Sequence, residues 1–205
     1  MPQQDRAYAT REAILRAAAR EFDLVGYDRT SLTAVLTRAG LTKGAFYFHF
    51  ASKEAVAGAL IEYQHDLWVE LRQRWHGREL DPLHTLIGMI SESADRMADD
   101  VVLRAGVRLI ADREVGYPGV PNAHLMWEKM VSAYVAEAGA RGHLREGVDP
   151  DAVARALSGA TLGARLISSA TTGCADFPGR VRELLALVLP SVANDAWLSA
   201  ADDRR

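Results

Sequence analysis

Cysteine is almost absent from this 205-residue chain: Cys174 stands alone, so no internal disulfide can form and no second thiol is present to resolve an oxidised one. Long apolar runs are missing too. No stretch approaches the roughly 20 residues of a membrane span, and no basic segment leads into an apolar one at the N-terminus. These absences lead us to expect a protein of the reducing cytoplasm, without a secretion signal and without a membrane partner. Enzyme signatures are also lacking: there is no Gly-x-Ser-x-Gly elbow, Walker loop, dinucleotide fingerprint or His-Glu-x-x-His helix. His65, His76, His84, His124 and His143 are scattered without metal-ligand spacing. No catalytic residue, metal or cofactor is therefore expected. No alternating strand pattern competes with a helical one, and there is no internal repeat.

What the chain does have is apolar residues at helical spacing. At 49% hydrophobic and 25% charged it is an ordinary globular sequence. Its net charge of −3 is unevenly shared. Residues 1–53 carry eight Lys and Arg against five Asp and Glu, and residues 54–205 carry sixteen against twenty-two. Only the N-terminal quarter suits a polyanion, although chance clustering on a solvated face would give the same excess.

Ile14, Leu15, Ala18, Phe22 and Val25 form the stripe of a first helix, with Thr10 as its expected N-cap and Gly26 as its stop. Thr30 or Ser31 can cap a short helix ending at Gly40, and Thr42 another over about 43–48. Ser52 opens a long helix to about 75. Further helices are expected at about 82–98, 101–113, 121–139, 150–171 and 179–192. Gly77, Asp81-Pro82, the Gly-Tyr-Pro-Gly-Val-Pro run at 116–121, Gly142, Gly147, Asp149-Pro150 and Pro178-Gly179 mark the breaks. The terminal Ala-Ala-Asp-Asp-Arg-Arg reads as a frayed tail.

Within this pattern "GLTKGAFYFHFASKEAV" (40–56) is unusual, with Phe46, Tyr47, Phe48, His49 and Phe50 in succession. Two short helices joined by a Gly-centred turn make a helix-turn-helix, whose second helix enters the major groove. Thr42, Lys43, Gly44 and Ala45 then face the DNA: the small residues allow close backbone approach, and Lys43 and Thr42 reach phosphates or base edges. Phe46 and Phe50 lock the helix to its neighbours. Tyr47 and His49 offer polar tips to phosphate, Phe48 packs or touches a base, and Lys53 adds a phosphate contact at the start of the long helix.

The segment "TSLTAVLTRAGLTKGAFYFHFASKEAV" resembles the DNA-binding part of the tetracycline-repressor (TetR) family, with its Thr-Lys-Gly-x-x-Tyr-x-His-Phe core followed by Lys and Glu. The resemblance implies an all-α fold: a helix-turn-helix DNA-binding domain over 1–51, and a larger helical ligand-binding and dimerisation domain over 52–205. It carries over Thr33, Thr42, Lys43, Gly44, Tyr47, His49 and Lys53 as positions touching double-stranded operator DNA. Homodimerisation through the last large helices is implied as well; there Val181, Leu184, Leu185 and Val188 make an apolar stripe.

In the larger part, Trp127 lies amid Leu125, Met126, Met130, Val131 and Tyr134, a composition that lines adaptable cavities or fills a core. Thr161 sits among Ala156, Gly159, Ala160, Gly163 and Ala164, either as a back-bonded hydroxyl or as a donor to a bound molecule. Arg104 and Arg108, one helical turn apart, lie on a solvated or salt-bridged face, or bind an acid. A narrower resemblance is to the γ-butyrolactone receptors: "TKGAFYFHFASKEAVAGALIEYQ", "VLRAGVRLI" and the isolated Trp127 are similar to that subfamily, with Phe46 in place of its usual Leu. It implies a small apolar lactone- or butenolide-like effector, closed over by Trp127 and hydrogen-bonded by Gln64 and Thr161. Leu86, Met89, Ile90, Val102, Leu109 and Met130 would surround its tail.

Overall fold

The computed structural model describes residues 3–111 and 123–202. Among them are ten helices: α1 (Gln3–Val25), α2 (Leu32–Ala39), α3 (Lys43–His49), α4 (Lys53–His76), α5 (Pro82–Asp99), α6 (Val101–Ala111), α7 (Ala123–Ala140), α8 (Pro150–Thr172), α9 (Phe177–Val192) and α10 (Asp195–Asp202). No strand occurs among the described residues; the single β-type pairing is an isolated antiparallel bridge between Leu144 and Ala193. The all-helical expectation holds. The turn expected at 116–121 lies outside the described residues.

Local chemistry sets the helix ends. Ser31 Oγ accepts from the Ala34 N–H (3.1 Å), Thr42 Oγ1 from Ala45 (3.3 Å) and Ser52 Oγ from Ala55 (3.2 Å), so three side chains satisfy donors that a helix start leaves open. Gly40, at φ +66°, closes α2 by turning its N–H back to Leu36 and Thr37. Thr10 is not the cap it was expected to be. Helix α1 already begins at Gln3, and the Thr10 hydroxyl donates to the Arg6 carbonyl inside it (2.8 Å).

The described residues pack as two units. The first comprises α1–α3, α4 as far as Val69, and α6; its core gathers Ile14, Ala18, Phe22, Leu36, Phe46, Val56, Leu60 and Leu109. Full burial of an aromatic such as Phe46 stabilises by about 1.5–3 kcal/mol. Helix α6 joins this unit in two ways. Arg104 Nε pairs with Asp23 Oδ2 (3.1 Å) and Arg108 Nη1 donates to the Asp23 backbone carbonyl (2.5 Å), so Arg104 is salt-bridged and Arg108 is held to the same residue by a hydrogen bond. At Gly106 the crossing with α4 is so close that a methyl group would lie 2.5 Å from the Leu60 carbonyl oxygen and 2.7 Å from Gln64 Cβ. Asp100 fastens the same corner: it accepts from the Val102 and Leu103 N–H groups and, through Oδ2, from the Tyr63 hydroxyl (2.6 Å). Burial and that hydrogen bond push the Tyr63 phenol up to about 12.

The second unit comprises α4 from Glu70, α5 and α7–α10. Here the Trp75 ring occupies the notch above Gly88, and its indole donates to Glu92 Oε2 (2.7 Å), while Arg74 and Arg96 pair with the same carboxylate. Helix α10, which the sequence reading did not assign, is a packed element; it takes in residues 200–202 of the expected frayed tail, the rest of which lies outside the described residues. Asn194 Oδ1 caps it at the Trp197 N–H (2.9 Å), and Trp197 is buried with its indole donating to Asp81 Oδ1 (3.0 Å). That carboxylate also accepts from the Leu83 and His84 N–H groups and from the His84 ring, so one residue starts α5 and holds α10. A second correction concerns α9: Val181 and Leu185 are buried within the chain's own core rather than exposed for a partner. The exposed large apolar side chains of α8 and α9 are Leu166, Ile167 and Leu187.

Candidate nucleic-acid interface and effector site

Helix α3 is sharply two-sided. Phe46 is fully buried and Phe50 nearly so, anchoring the helix to the α1–α4 core, while Lys43, Gly44, Tyr47 and Phe48 face outward. Positions 43, 44, 47 and 48 share one side of a helix, so these four form one continuous face. Ala45 and His49 flank it half-buried, and Thr33 is exposed on α2. The Tyr47 ring stands edge-on to Phe46 (5.4 Å, 89°) and the His49 ring edge-on to Phe48 (5.0 Å, 87°), which limits the orientations of both outward rings.

Gly44 is not required by the fold. A methyl group there would meet nothing nearer than Thr42 Oγ1 at 3.9 Å, and glycine inside a helix costs about 1 kcal/mol relative to alanine. The advantage of a bare backbone at this point lies outside the chain. A clear, polar and partly cationic helix face with one position stripped to backbone is suited to enter the major groove.

Two expected contacts stand differently. Thr42 is exposed, and its hydroxyl already caps α3. Lys53 turns inward: its ammonium donates to the Tyr27 and Thr30 carbonyls (2.9 and 3.0 Å) and lies 4.0 Å from the Tyr27 ring centroid. Two of its three donors are held by the turn before α2, so the structure makes it a brace rather than a hand extended to phosphate. Arg11, which the sequence reading did not single out, has its guanidinium 5.1 Å from the Phe50 ring centroid at the end of α3. Its only sequence signal was membership of the N-terminal basic excess.

The residues expected around an effector lie in both units. In the first, Val102 and Leu109 are closed into the core, and Gln64 is buried beside Gly106 at the α4–α6 crossing. In the second, Met89 is fully buried, and Leu86 and Ile90 line a small apolar cleft with Leu83, Val135, Leu157 and Leu185. Trp127, Met130 and Thr161 are half-buried. Thr161 Oγ1 is buried without a hydrogen-bond partner, and so is Ser158 Oγ, three residues earlier on the same side of α8. A buried hydroxyl that forgoes even the helix carbonyl behind it costs about 1–3 kcal/mol. Ser158 was missed; its spacing of three from Thr161 was the available signal. The small residues Gly159, Ala160 and Ala156 occupy the opposite, exposed side of α8.

The family model for "Bacterial regulatory proteins, tetR family" matches residues 14–60, and that for "Tetracyclin repressor-like, C-terminal domain" matches residues 81–193. The chain belongs to the TetR family. It is 36% identical over 194 residues to the A-factor receptor protein of Streptomyces griseus, covering 95% of this chain and 67% of that one. A crystal structure of a γ-butyrolactone receptor described as ArpA-like is similar at a TM-score of 0.82, with 30% identity and coverage of 94% and 92%. The TetR family protein CprB from Streptomyces coelicolor, solved with its operator sequence, is similar at a TM-score of 0.80, with 30% identity and coverage of 93% and 92%.

TetR proteins are DNA-binding transcriptional regulators and not enzymes, and this chain is such a regulator, close to the γ-butyrolactone receptors. Within that TetR frame the two-sided α3 is the element on which a DNA-contacting surface is best sought. No helix among the described residues is long and apolar enough to cross a membrane.

Proposed function

We propose that this protein is a cytoplasmic, homodimeric repressor that holds a pseudo-palindromic operator through α3 and is released by a γ-butyrolactone- or butenolide-type signal, controlling secondary metabolism. The observation that carries the DNA half is the outward face of Lys43, Gly44, Tyr47 and Phe48, fixed from behind by Phe46 and Phe50. Thr33, Ala45 and His49 complete the proposed contact surface, and residues 1–51 its domain. Two copies would place α3 in successive major grooves, about 34 Å apart.

The dimer reading draws on the exposed side of α8 and α9. Leu166 and Ile167 are each 54% exposed and Leu187 78%, and a methyl group at Gly159 or Gly163 would meet nothing within 4 Å. Apolar residues beside open glycines suit the close approach of a second helix pair. The effector reading draws on the unpartnered Thr161 hydroxyl in α8, on Trp127 and Met130 in α7, and on the likeness to the A-factor receptor. An uncharged lactone offers carbonyl and hydroxyl oxygens to such a donor and an alkyl tail to Leu86, Met89 and Ile90. Release requires only that effector bind the DNA-incompetent conformation better, with a coupling of about 1–3 kcal/mol. The change is proposed to travel along α4.

The test is fluorescence anisotropy of the full chain on a duplex selected from random sequence, titrated with γ-butyrolactones, butenolides, furans and unrelated antibiotics. Salt-sensitive binding relieved by one lactone-like class is expected. Relief only by an unrelated apolar molecule would move the effector to another class and leave the DNA half standing.

A further inference from the structure

Phe48 is 80% exposed, more than any other large apolar side chain among the described residues, and it lies on the outward face of α3. The His49 ring stands edge-on against it at 5.0 Å, and the rest of the Phe48 ring is open to solvent. The rest of the face can make few base-specific hydrogen bonds. Gly44 and Ala45 have no polar side-chain atoms, and Thr42 sits at the N-cap with its Oγ1 accepting from Ala45, which leaves it a single O–H to donate. Lys43 and Tyr47 end in groups that serve phosphate as readily as a base. In the major groove one base-pair feature is apolar, the C5-methyl group of thymine. An exposed ring on a groove-entering helix finds there the one surface it can desolvate.

On the reading of α3 as the groove-entering helix, we infer that Phe48 is a specificity-determining residue that recognises a thymine C5-methyl group, so each operator half-site carries a required thymine at that position. The contact adds sequence discrimination to a surface whose other groups mainly set affinity and register. Removing one buried methyl group corresponds to about 0.8 kcal/mol, or roughly a fourfold loss of affinity per half-site.

The experiment replaces thymines one at a time with deoxyuridine in a duplex selected by the 205-residue protein, which removes the methyl group and nothing else. Anisotropy is then read for wild type, Phe48→Ala and Phe48→Leu. One thymine per half-site should show a roughly fourfold loss with wild type. Phe48→Ala, which removes the contact from both half-sites, should bind the unmodified duplex roughly sixteenfold more weakly and be indifferent to that replacement, while Phe48→Leu keeps part of the discrimination. Because Phe48 is exposed, unfolding midpoints should be unchanged. The inference is overturned if no deoxyuridine replacement weakens wild type, or if the loss persists in Phe48→Ala. With Lys43→Ala still weakening binding by at least about tenfold, that result removes the thymine contact and leaves the α3 reading intact; selection of no duplex at all would overturn both.

Discussion

The outward face of α3 and the junction of α5 with α10 treat their polar groups in opposite ways. At the junction, Asp81 accepts from two backbone N–H groups, the His84 ring and the Trp197 indole, so its carboxylate is committed within the chain. On α3, Lys43 and Tyr47 project outward from a helix whose packing is complete behind them. The same contrast separates two lysines of one motif: Lys53 is held by two carbonyls and a ring, and Lys43 is exposed. Motif membership alone does not distinguish a residue that builds the surface from one that uses it. The partners a side chain already has do.

The largest expected effect that sharpens this contrast is at a third site, where packing is tightest. Gly106→Ala places a methyl group against the Leu60 carbonyl and should destabilise the fold by about 3 kcal/mol, read as a lower denaturant midpoint at unchanged slope. Lys53→Ala removes two charge-assisted hydrogen bonds and should cost about 2 kcal/mol in the same assay.

Asp81→Asn comes next, at about 1–2 kcal/mol near neutral pH. Burial alone would push the Asp81 carboxyl up, but the hydrogen bonds from the His84 backbone, the Trp197 indole and the His84 ring outweigh it and hold it below its ordinary value of 3.8. Since the folded value is the lower one, the stability is present above the unfolded value and is lost as pH falls through the folded one. The unfolding midpoint of the wild type should therefore fall with pH below about pH 4, a dependence that is flattened in Asp81→Asn. The smallest effect has the opposite sign: Gly44→Ala should stabilise the fold by about 0.5–1 kcal/mol while weakening DNA binding, because the fold has room for the methyl group and the groove does not.

The helix-turn-helix was legible because its signals are local. Ser31, Thr42 and Ser52 cap helices at the starts read for them, and Gly40 closes α2 in the left-handed region. The errors arose where long-range partners decide. Thr10 resembles a cap until the preceding turn of α1 is seen. Helix α10 went unassigned because the partner of its Trp197, Asp81, lies 116 residues earlier. Val181 and Leu185 form a stripe that a single helix cannot assign to its own core or to a second chain. Effector residues are the least legible of all, since apolar side chains such as Leu109 and Met89 have the same pattern in a core and in a pocket.

The most direct measurement compares Lys43→Ala with Lys53→Ala, scoring operator affinity and unfolding midpoint for each. Lys43→Ala should lose at least about tenfold in affinity, with a shallower salt dependence and an unchanged midpoint. Lys53→Ala should lose stability while its folded fraction still binds. If both lysines weaken binding equally and neither changes the midpoint, the distinction between committed and outward-facing residues is wrong.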